Sequence, residues 1–242
     1  MSITKHIPNT ITLLNLLSGI IAIFYAVLGE LEIAGFFVVI GIGFDFFDGF
    51  AARLLNVYGE LGKQLDSLAD MITSGVVPGI ILFQLILRTT TNSAIENVFK
   101  LGSIEFLPFI GLLIPLASAY RLAKFNIDPD QSDSFVGLPT PANTLLIISL
   151  PWIYTYSDWM IVKQFLENTY TLIATTLLCA YLLNAEIPLF ALKFKNFSWK
   201  DNNFKFLFLG VSFVLILVLQ VIAIPLIILL YVLISVWKNH RN

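Results

Sequence analysis

Four aspartates lie between positions 45 and 70 at spacings that could bring their carboxylates to one site. Asp45 and Asp48 are three residues apart, and Asp66 and Asp70 are four apart. Residues at these spacings share one face of a helix. The connection between the two pairs is short, which predicts two antiparallel neighbouring helices whose carboxylates converge on one cavity.

Clustered carboxylates indicate a particular kind of ligand. Like charges held close together repel one another unless a cation neutralises them. Carboxylate oxygens are hard ligands that suit Mg²⁺, Mn²⁺ or Ca²⁺ rather than Zn²⁺, and the two histidines, His6 and His240, are distant in the sequence. Four carboxylates can hold two such ions, and paired ions clamp the attacking and leaving oxygens of a phosphoryl displacement.

Small and basic residues flank the aspartates. Gly49 and Gly62 would let a bulky ligand approach the helix backbones, and Arg53 offers a planar cation to a phosphate. Ala52 lies one turn beyond Asp48 on the same helix face. Glycines in membrane helices are also used as packing contacts, and that alternative stays open for both glycines.

The composition is that of an integral membrane protein. The 242 residues are 57% hydrophobic and 12% charged, with a mean hydropathy of +0.86, whereas soluble domains carry about 25% charged residues. A carboxylate at membrane depth costs roughly 2.5 kcal/mol or more and usually marks a functional site. The sequence has no basic stripe of the kind that indicates nucleic-acid binding. The length suits one domain, residues 1–242.

We predict an all-α, polytopic membrane helix bundle of about eight transmembrane helices. A spanning helix needs about 20 apolar residues. The stretches that predict the first six spans are Ile11–Leu28, Ile33–Phe50, Leu65–Leu87, Ile104–Ala123, Asn143–Tyr156 and Tyr170–Phe190. Pro115 is expected to kink the fourth span.

The last apolar block, residues 206–237, is too long for one ordinary span. We predict two short helices that hinge near residues 223–225. With eight spans, most lysines and arginines fall on the side of the N-terminus, and this bias is typical of the cytoplasmic side. Both termini and the acidic segment are therefore predicted to face the cytoplasm from the cell (inner) membrane, with catalytic helices over about 1–145 and additional helices over about 143–237.

Residues 45–70 follow the pattern Asp-x2-Asp-Gly-x2-Ala-Arg-x8-Gly-x3-Asp-x3-Asp. It resembles the signature of the CDP-alcohol phosphatidyltransferases, and no position departs from it. The resemblance implies an enzyme that cleaves a CDP-linked lipid at its pyrophosphate, releases CMP and transfers the phosphatidyl group to an alcohol. It also implies a homodimer.

The resemblance assigns roles by position. The residues implied as ligands of two divalent cations, Mg²⁺ or Mn²⁺, are Asp45, Asp48, Asp66 and Asp70. Asp70 is also the implied general base. The residues implied to line the nucleotide pocket are Gly49, Ala52, Arg53 and Gly62.

Further segments resemble the bacterial branch of this family that uses L-serine as the alcohol. They are Pro8–Gly19, Gly62–Asp70, Tyr120–Asn126 and Gly137–Ala142, within roughly the first 145 residues. This resemblance implies CDP-diacylglycerol and L-serine as substrates, drawn from the lipid bilayer and the cytoplasm.

Physical chemistry supports a serine acceptor less directly. A zwitterion needs a cation for its carboxylate and an acceptor for its ammonium group, and Arg121 and Lys124 supply positive charge. Anchoring by the positive-inside rule is the alternative for both. Lys124 stands where we expect arginine more often, and lysine lacks bidentate geometry. Thr12 and Asn15 lie near one face of the first span and could hydrogen-bond the nucleotide or the acceptor.

Two other functions remain open. A sister enzyme would use glycerol 3-phosphate, an inositol phosphate or another small alcohol, and a phosphate-bearing acceptor would need additional cations. A cation transporter would use the aspartates as an ion path. Transporters often contain inverted repeats and broken helices at the midplane, and the sequence shows no evident repeat.

Overall fold

A computed structural model describes residues 6–57, 59–90, 106–127, 135–190 and 198–239. Within these residues the fold is almost entirely α-helical, as predicted. The ten α-helices are α1 Ile7–Val27, α2 Leu31–Leu54, α3 Glu60–Asp70, α4 Val77–Thr90, α5 Leu113–Ile127, α6 Thr140–Tyr156, α7 Met160–Leu166, α8 Thr169–Asn184, α9 Trp199–Leu219 and α10 Ala223–Asn239. Two short strands, β1 Phe135–Val136 and β2 Pro188–Leu189, pair antiparallel.

Helices α1 and α2 form a tight antiparallel hairpin. The turn between them places Gly29 at φ +85°, a conformation that glycine adopts without the steric cost of a Cβ. The Arg88 side chain donates to the carbonyl of Gly29 and ties the turn to α4. Small buried residues on both helices, among them Ala22 and Ala34, let the two backbones approach closely.

The third span is the central element of the fold. It runs without interruption from α3 through a π-helical turn, Met71–Val76, into α4. Nearly all of α4 is buried, including Ile81, Leu82 and Ile86. The apolar run that predicts this span begins near Leu65, and α3 begins before it, at Glu60, where its polar first turns lie beside α1.

The remaining helices differ from the prediction at several ends. A 3₁₀ turn, Leu107–Leu112, precedes α5, and α8 ends at Asn184, since the residues that follow it lead into β2. The break in the last apolar block lies at residues 220–222, before the predicted hinge, and Gln220 there has φ +49°. The short helix α7 was not predicted.

Among the described residues, five helical stretches are long and apolar enough to cross a membrane: Ile7–Val27, Leu31–Leu54, Glu60–Thr90, Leu107–Ile127 and Asn202–Lys238. Large apolar side chains such as Phe24 and Phe213 face outward, which suits a lipid environment. The protein is therefore a multi-pass membrane helix bundle. The number of spans and the side of each terminus stay predictions.

The close approach of the 3₁₀ turn to α4 can be tested at Gly111. A Cβ there would lie 2.5 Å from the backbone nitrogen of Phe83 and 2.9 Å from the carbonyl oxygen of Gly79. Since backbone atoms cannot rotate aside, we expect Gly111→Ala to lower the free energy of unfolding by about 1–3 kcal/mol. Thermal unfolding in detergent measures the change.

Gly210→Ala in α9 is the matched control. A Cβ at that position meets nothing within 4 Å, so the variant should unfold at the wild-type temperature or slightly above it, because alanine favours a helix. Equal midpoints for the two variants would contradict the tight packing of Gly111.

Candidate active site

Three of the four aspartates converge at one end of the bundle. Single carboxylate oxygens of Asp45, Asp48 and Asp66 all lie within 4.8 Å of one another. Asp48 is only 6% exposed, and the other two are half-buried. The chain returns from α2 to α3 through a short connection in which Asn56 has φ +51°, so the end of one helix and the start of the next meet at this point.

The two helices that carry these acids pack on α1 rather than on each other. α1 contacts α2 along its length and also contacts α3, whereas direct packing between α2 and α3 is slight among the described residues. The predicted convergence is present for three of the four aspartates. Their carboxylates meet where α2 and α3 both lie against α1.

Asp70 lies one turn deeper than Asp66. It is close enough to Asp45 and Asp66 for electrostatic interaction. Its Oδ1 accepts a hydrogen bond of 3.3 Å from Nδ2 of Asn15. Asp70 is thus next to the three clustered carboxylates and is held from the α1 side.

Two polar residues of α1 orient the aspartates. The hydroxyl of Thr12 donates to Oδ2 of Asp48 at 2.5 Å, and Asn15, one turn further along, donates to Asp70. Both residues are buried, and Asn15 is fully buried. We predicted contacts to the nucleotide or the acceptor for this pair; those contacts stay predictions, and the structure adds a contact with the acids themselves.

A threonine of the π-helical turn, Thr73, sets the spacing between this turn, α1 and α2. Thr73 is fully buried, and its hydroxyl donates to the backbone carbonyl of Asn15 at 3.2 Å. Its side chain fills the space that a Cβ would need at Gly19 on α1, and its Cγ2 lies 2.7 Å from the Cβ position of Gly41 on α2. Glycine at those two positions is what lets Thr73 sit between the helices.

The residues predicted for the nucleotide pocket lie on α2 and α3, the two helices that carry the aspartates. A Cβ at Gly49 would meet nothing within 4 Å, and one at Gly62 would lie 3.2 Å from Oδ1 of Asn9. Ala52 is half-buried. The exposed Arg53 donates from Nε to the carbonyl of Gly49 at 3.0 Å. Nucleotide binding by these residues stays a prediction.

The donor set fits hard divalent cations. The clustered atoms are carboxylate oxygens, which magnesium and manganese prefer. Three partly or fully buried carboxylates within 4.8 Å of one another repel strongly, because the low local dielectric weakens screening. Bound cations would remove that repulsion, so the residues present fit metal ligation.

An asparagine that we assigned no role joins the acidic helix to α5. Nδ2 of Asn126 donates to Oγ of Ser67 at 2.9 Å, and the backbone carbonyl of Asn126 accepts from Nζ of Lys63 at 2.6 Å. Ser67 lies between two of the aspartates in α3. The sequence shows a polar residue, Ser67, next to Asp66, but no local pattern identified Asn126 as its hydrogen-bond partner.

Arg121 and Lys124, both predicted to bind acceptor or phosphate, line a cavity of about 340 Å³ beside the end of α5. The Arg121 guanidinium donates to three backbone carbonyls, those of Val136, Gly137 and Leu183. Gly137 adopts φ +75° there. Arg121 therefore holds the loop before α6 against the end of α8, a structural role that the sequence did not predict.

The site is an acidic cluster of oxygen donors in a membrane helix bundle, a donor set that fits divalent cations. The family model described as CDP-alcohol phosphatidyltransferase matches residues 5–184. The chain belongs to that family, as the acidic pattern predicted.

Three curated relatives show the similarity in detail. A Bacillus subtilis CDP-diacylglycerol–serine O-phosphatidyltransferase is 34% identical over 154 residues, which are 62% of this chain and 77% of that protein. A Helicobacter pylori protein of the same name is 34% identical over 58% of this chain and 55% of its own length. An archaetidylserine synthase from Methanothermobacter thermautotrophicus is 30% identical over 63% of this chain and 60% of its own length.

Repulsion among the carboxylates predicts that Asp66→Asn is more stable than the wild type without metal and gains less stability than the wild type when metal is added. In Asp66→Asn one negative charge is lost, so the metal-free protein should unfold at a higher temperature than the wild type. Addition of Mn²⁺ should raise the unfolding temperature of the wild type and have much less effect on the variant. Thermal unfolding in EDTA and in a Mn²⁺ series measures both. Equal shifts with Mn²⁺ would contradict metal binding at Asp66.

The hydrogen bond from Thr12 predicts a positioning effect on Asp48. Thr12→Val keeps the shape but removes the donor, so we expect Mn²⁺ affinity to fall about tenfold, as for partners that orient metal ligands. Electron paramagnetic resonance of free Mn²⁺ measures the affinity. Thr12→Ser should restore it, and a serine variant as weak as valine would contradict the role of the hydroxyl.

Proposed function

We propose that this protein transfers the phosphatidyl group from CDP-diacylglycerol to the hydroxyl of L-serine, forming phosphatidylserine and CMP. The observation that carries the proposal is the convergence of Asp45, Asp48 and Asp66, with Asp70 beside them, in a chain of this family. The names of the relatives described above contain serine as the acceptor or archaetidylserine as the product. These names favour serine over the other alcohols of the family.

The four aspartates are the proposed ligands of two divalent cations, Mg²⁺ or Mn²⁺. Thr12 orients Asp48 through its hydroxyl, and Asn15 orients Asp70 through its amide. When bound, such cations neutralise the pyrophosphate and stabilise the charge that develops on the leaving CMP.

The open side of the cluster is the proposed nucleotide pocket. Gly49 has free space where a side chain would be, so a cytidine nucleotide can approach the backbone of α2. Gly62 and Ala52 add little bulk, and the exposed Arg53 can turn its guanidinium toward a phosphate. The acyl chains would stay in the lipid around the bundle.

Asp70 is the proposed general base. The serine hydroxyl gives its proton to the Asp70 carboxylate as its oxygen bonds to the phosphorus that carries diacylglycerol. The bond from that phosphorus to the oxygen bridging it to CMP breaks, and CMP leaves with the electron pair. Asn15 holds Asp70 in place during the transfer, since its Nδ2 donates to Oδ1.

The proposed setting is the cell (inner) membrane with the aspartates on the cytoplasmic side. The bias of lysine and arginine supports this orientation, and both a nucleotide and L-serine are soluble cytoplasmic molecules. The proposed assembly is a homodimer, a property implied by the family.

An acceptor assay tests the function. Purified protein in detergent, given CDP-diacylglycerol and Mn²⁺, should release CMP only when L-serine is present, and mass spectrometry should detect phosphatidylserine. Release of CMP with glycerol 3-phosphate but not with serine would identify a sister enzyme. Absence of CMP release with every acceptor would favour the transporter alternative.

Asp70→Asn tests the general base. The variant keeps the shape of the side chain and its contact with Asn15, but an amide cannot accept the proton, so we expect CMP release to fall at least about a hundredfold. Gln64→Glu, a change of similar size on the exposed side of α3, is the control. Wild-type turnover in Asp70→Asn would refute the assignment.

A further inference from the structure

The cavity beside the end of α5 carries charges of both signs. Arg121 and Lys124 line it, and so do Asn184 and Glu186, at and beyond the end of α8. A phosphate-bearing ligand would be repelled by the carboxylate of Glu186. A zwitterion would find a partner for each of its charges.

Arg121 has N–H donors that its contacts with backbone carbonyls do not use. Arg121 uses two N–H groups of Nη1 and one of Nη2 on backbone carbonyls. Among the described residues, its Nε–H and one Nη2–H are left for a ligand. This pair of donors matches the two oxygens of a carboxylate, and the exposed Lys124 adds a second positive charge at the mouth of the cavity.

Glu186 supplies the negative charge at this cavity, and Asn184 lines it nearby. Nδ2 of Asn184 donates to the carbonyl of Ala117 at 3.0 Å, which fixes the amide. Its Oδ1 is buried and has no hydrogen-bond partner within the part of the chain that the structure describes. A buried acceptor without a donor is costly. The carboxylate of Glu186 is exposed and lines the same cavity.

The cavity lies at the same end of the bundle as the aspartates. Phe125 lines the cavity, and the next residue, Asn126, bonds to Ser67 of α3. Deeper in the same helix, Ser118 lies against Gly75 in the turn that follows Asp70. The helix α5 that borders the cavity therefore contacts α3 and the turn that follows Asp70.

From these observations we propose that Glu186 binds the ammonium group of the acceptor amino acid, while Arg121 and Lys124 bind its carboxylate. The proposal rests on the function proposed above. It makes Glu186 a specificity-determining residue, which selects a zwitterionic alcohol over alcohols that carry a phosphate.

Steady-state kinetics of Glu186→Gln test the proposal in the full-length protein. Loss of the negative charge should raise KM for L-serine about tenfold or more, as expected for a hydrogen bond between charged groups. The kcat and the KM for CDP-diacylglycerol should stay within about twofold. Glu186→Asp keeps the charge and should recover most of the affinity.

A deaminated analogue separates ammonium recognition from general damage. 3-Hydroxypropanoate has the hydroxyl and carboxylate of serine but no ammonium group, so its inhibition constant against L-serine should be the same in wild type and Glu186→Gln. Lys124→Gln should weaken both compounds. Glu167→Gln, at the other end of α8 where Glu167 accepts from Tyr154, is the matched control and should change neither.

The outcomes distinguish the two proposals. If the wild type uses L-serine and Glu186→Gln keeps the wild-type KM, the assignment of Glu186 is wrong and the function stands. A fall in kcat at constant KM, or equal weakening of serine and its deaminated analogue, would also overturn the assignment. If the wild type itself ignores L-serine, the proposed function fails.

Discussion

Mutual repulsion among buried carboxylates is the constraint on which the architecture of this protein depends. Three of these groups lie within 4.8 Å of one another, a separation that is unfavourable in a low-dielectric surrounding unless rigid packing and counter-charge maintain it. The first third of the chain supplies the packing. α1 supports α2 and α3 from behind and donates hydrogen bonds to Asp48 and Asp70.

Precise spacing comes from residues that carry no charge. Thr73 fits between two helices only because Gly19 and Gly41 lack side chains, and its hydroxyl bonds to the backbone at Asn15. The turn that contains Thr73 is π-helical, and such turns are frequent at functional sites because the extra residue changes the direction of neighbouring side chains. Here it separates the acidic α3 from the largely apolar α4.

Arginine at position 121 connects the acidic end of the bundle to its second half. Its guanidinium joins the loop before α6 to the end of α8, and the same residue borders the cavity that faces Glu186. Arg121 thereby fixes the backbone around the cavity and keeps N–H donors that these contacts do not use. A lysine, with three donors on one atom, could not serve both directions in the same way.

The sequence by itself determined the class of the fold, the acidic pattern and its chemistry, because hydropathy and helical spacing are local properties that single residues carry. It also predicted the family, which the comparison over residues 5–184 confirmed. It left open whether the third helix begins before its apolar run, and it extended the sixth span to Phe190, beyond the end of α8 at Asn184, since helix ends depend on neighbouring elements.

Only the tertiary structure decided that α2 and α3 both pack against α1, that Thr12 and Asn15 contact the acids, and that Glu186 and Arg121 line one cavity. Each of these relations joins residues far apart in the chain. Packing of whole helices determines such distances, and no local pattern encodes them.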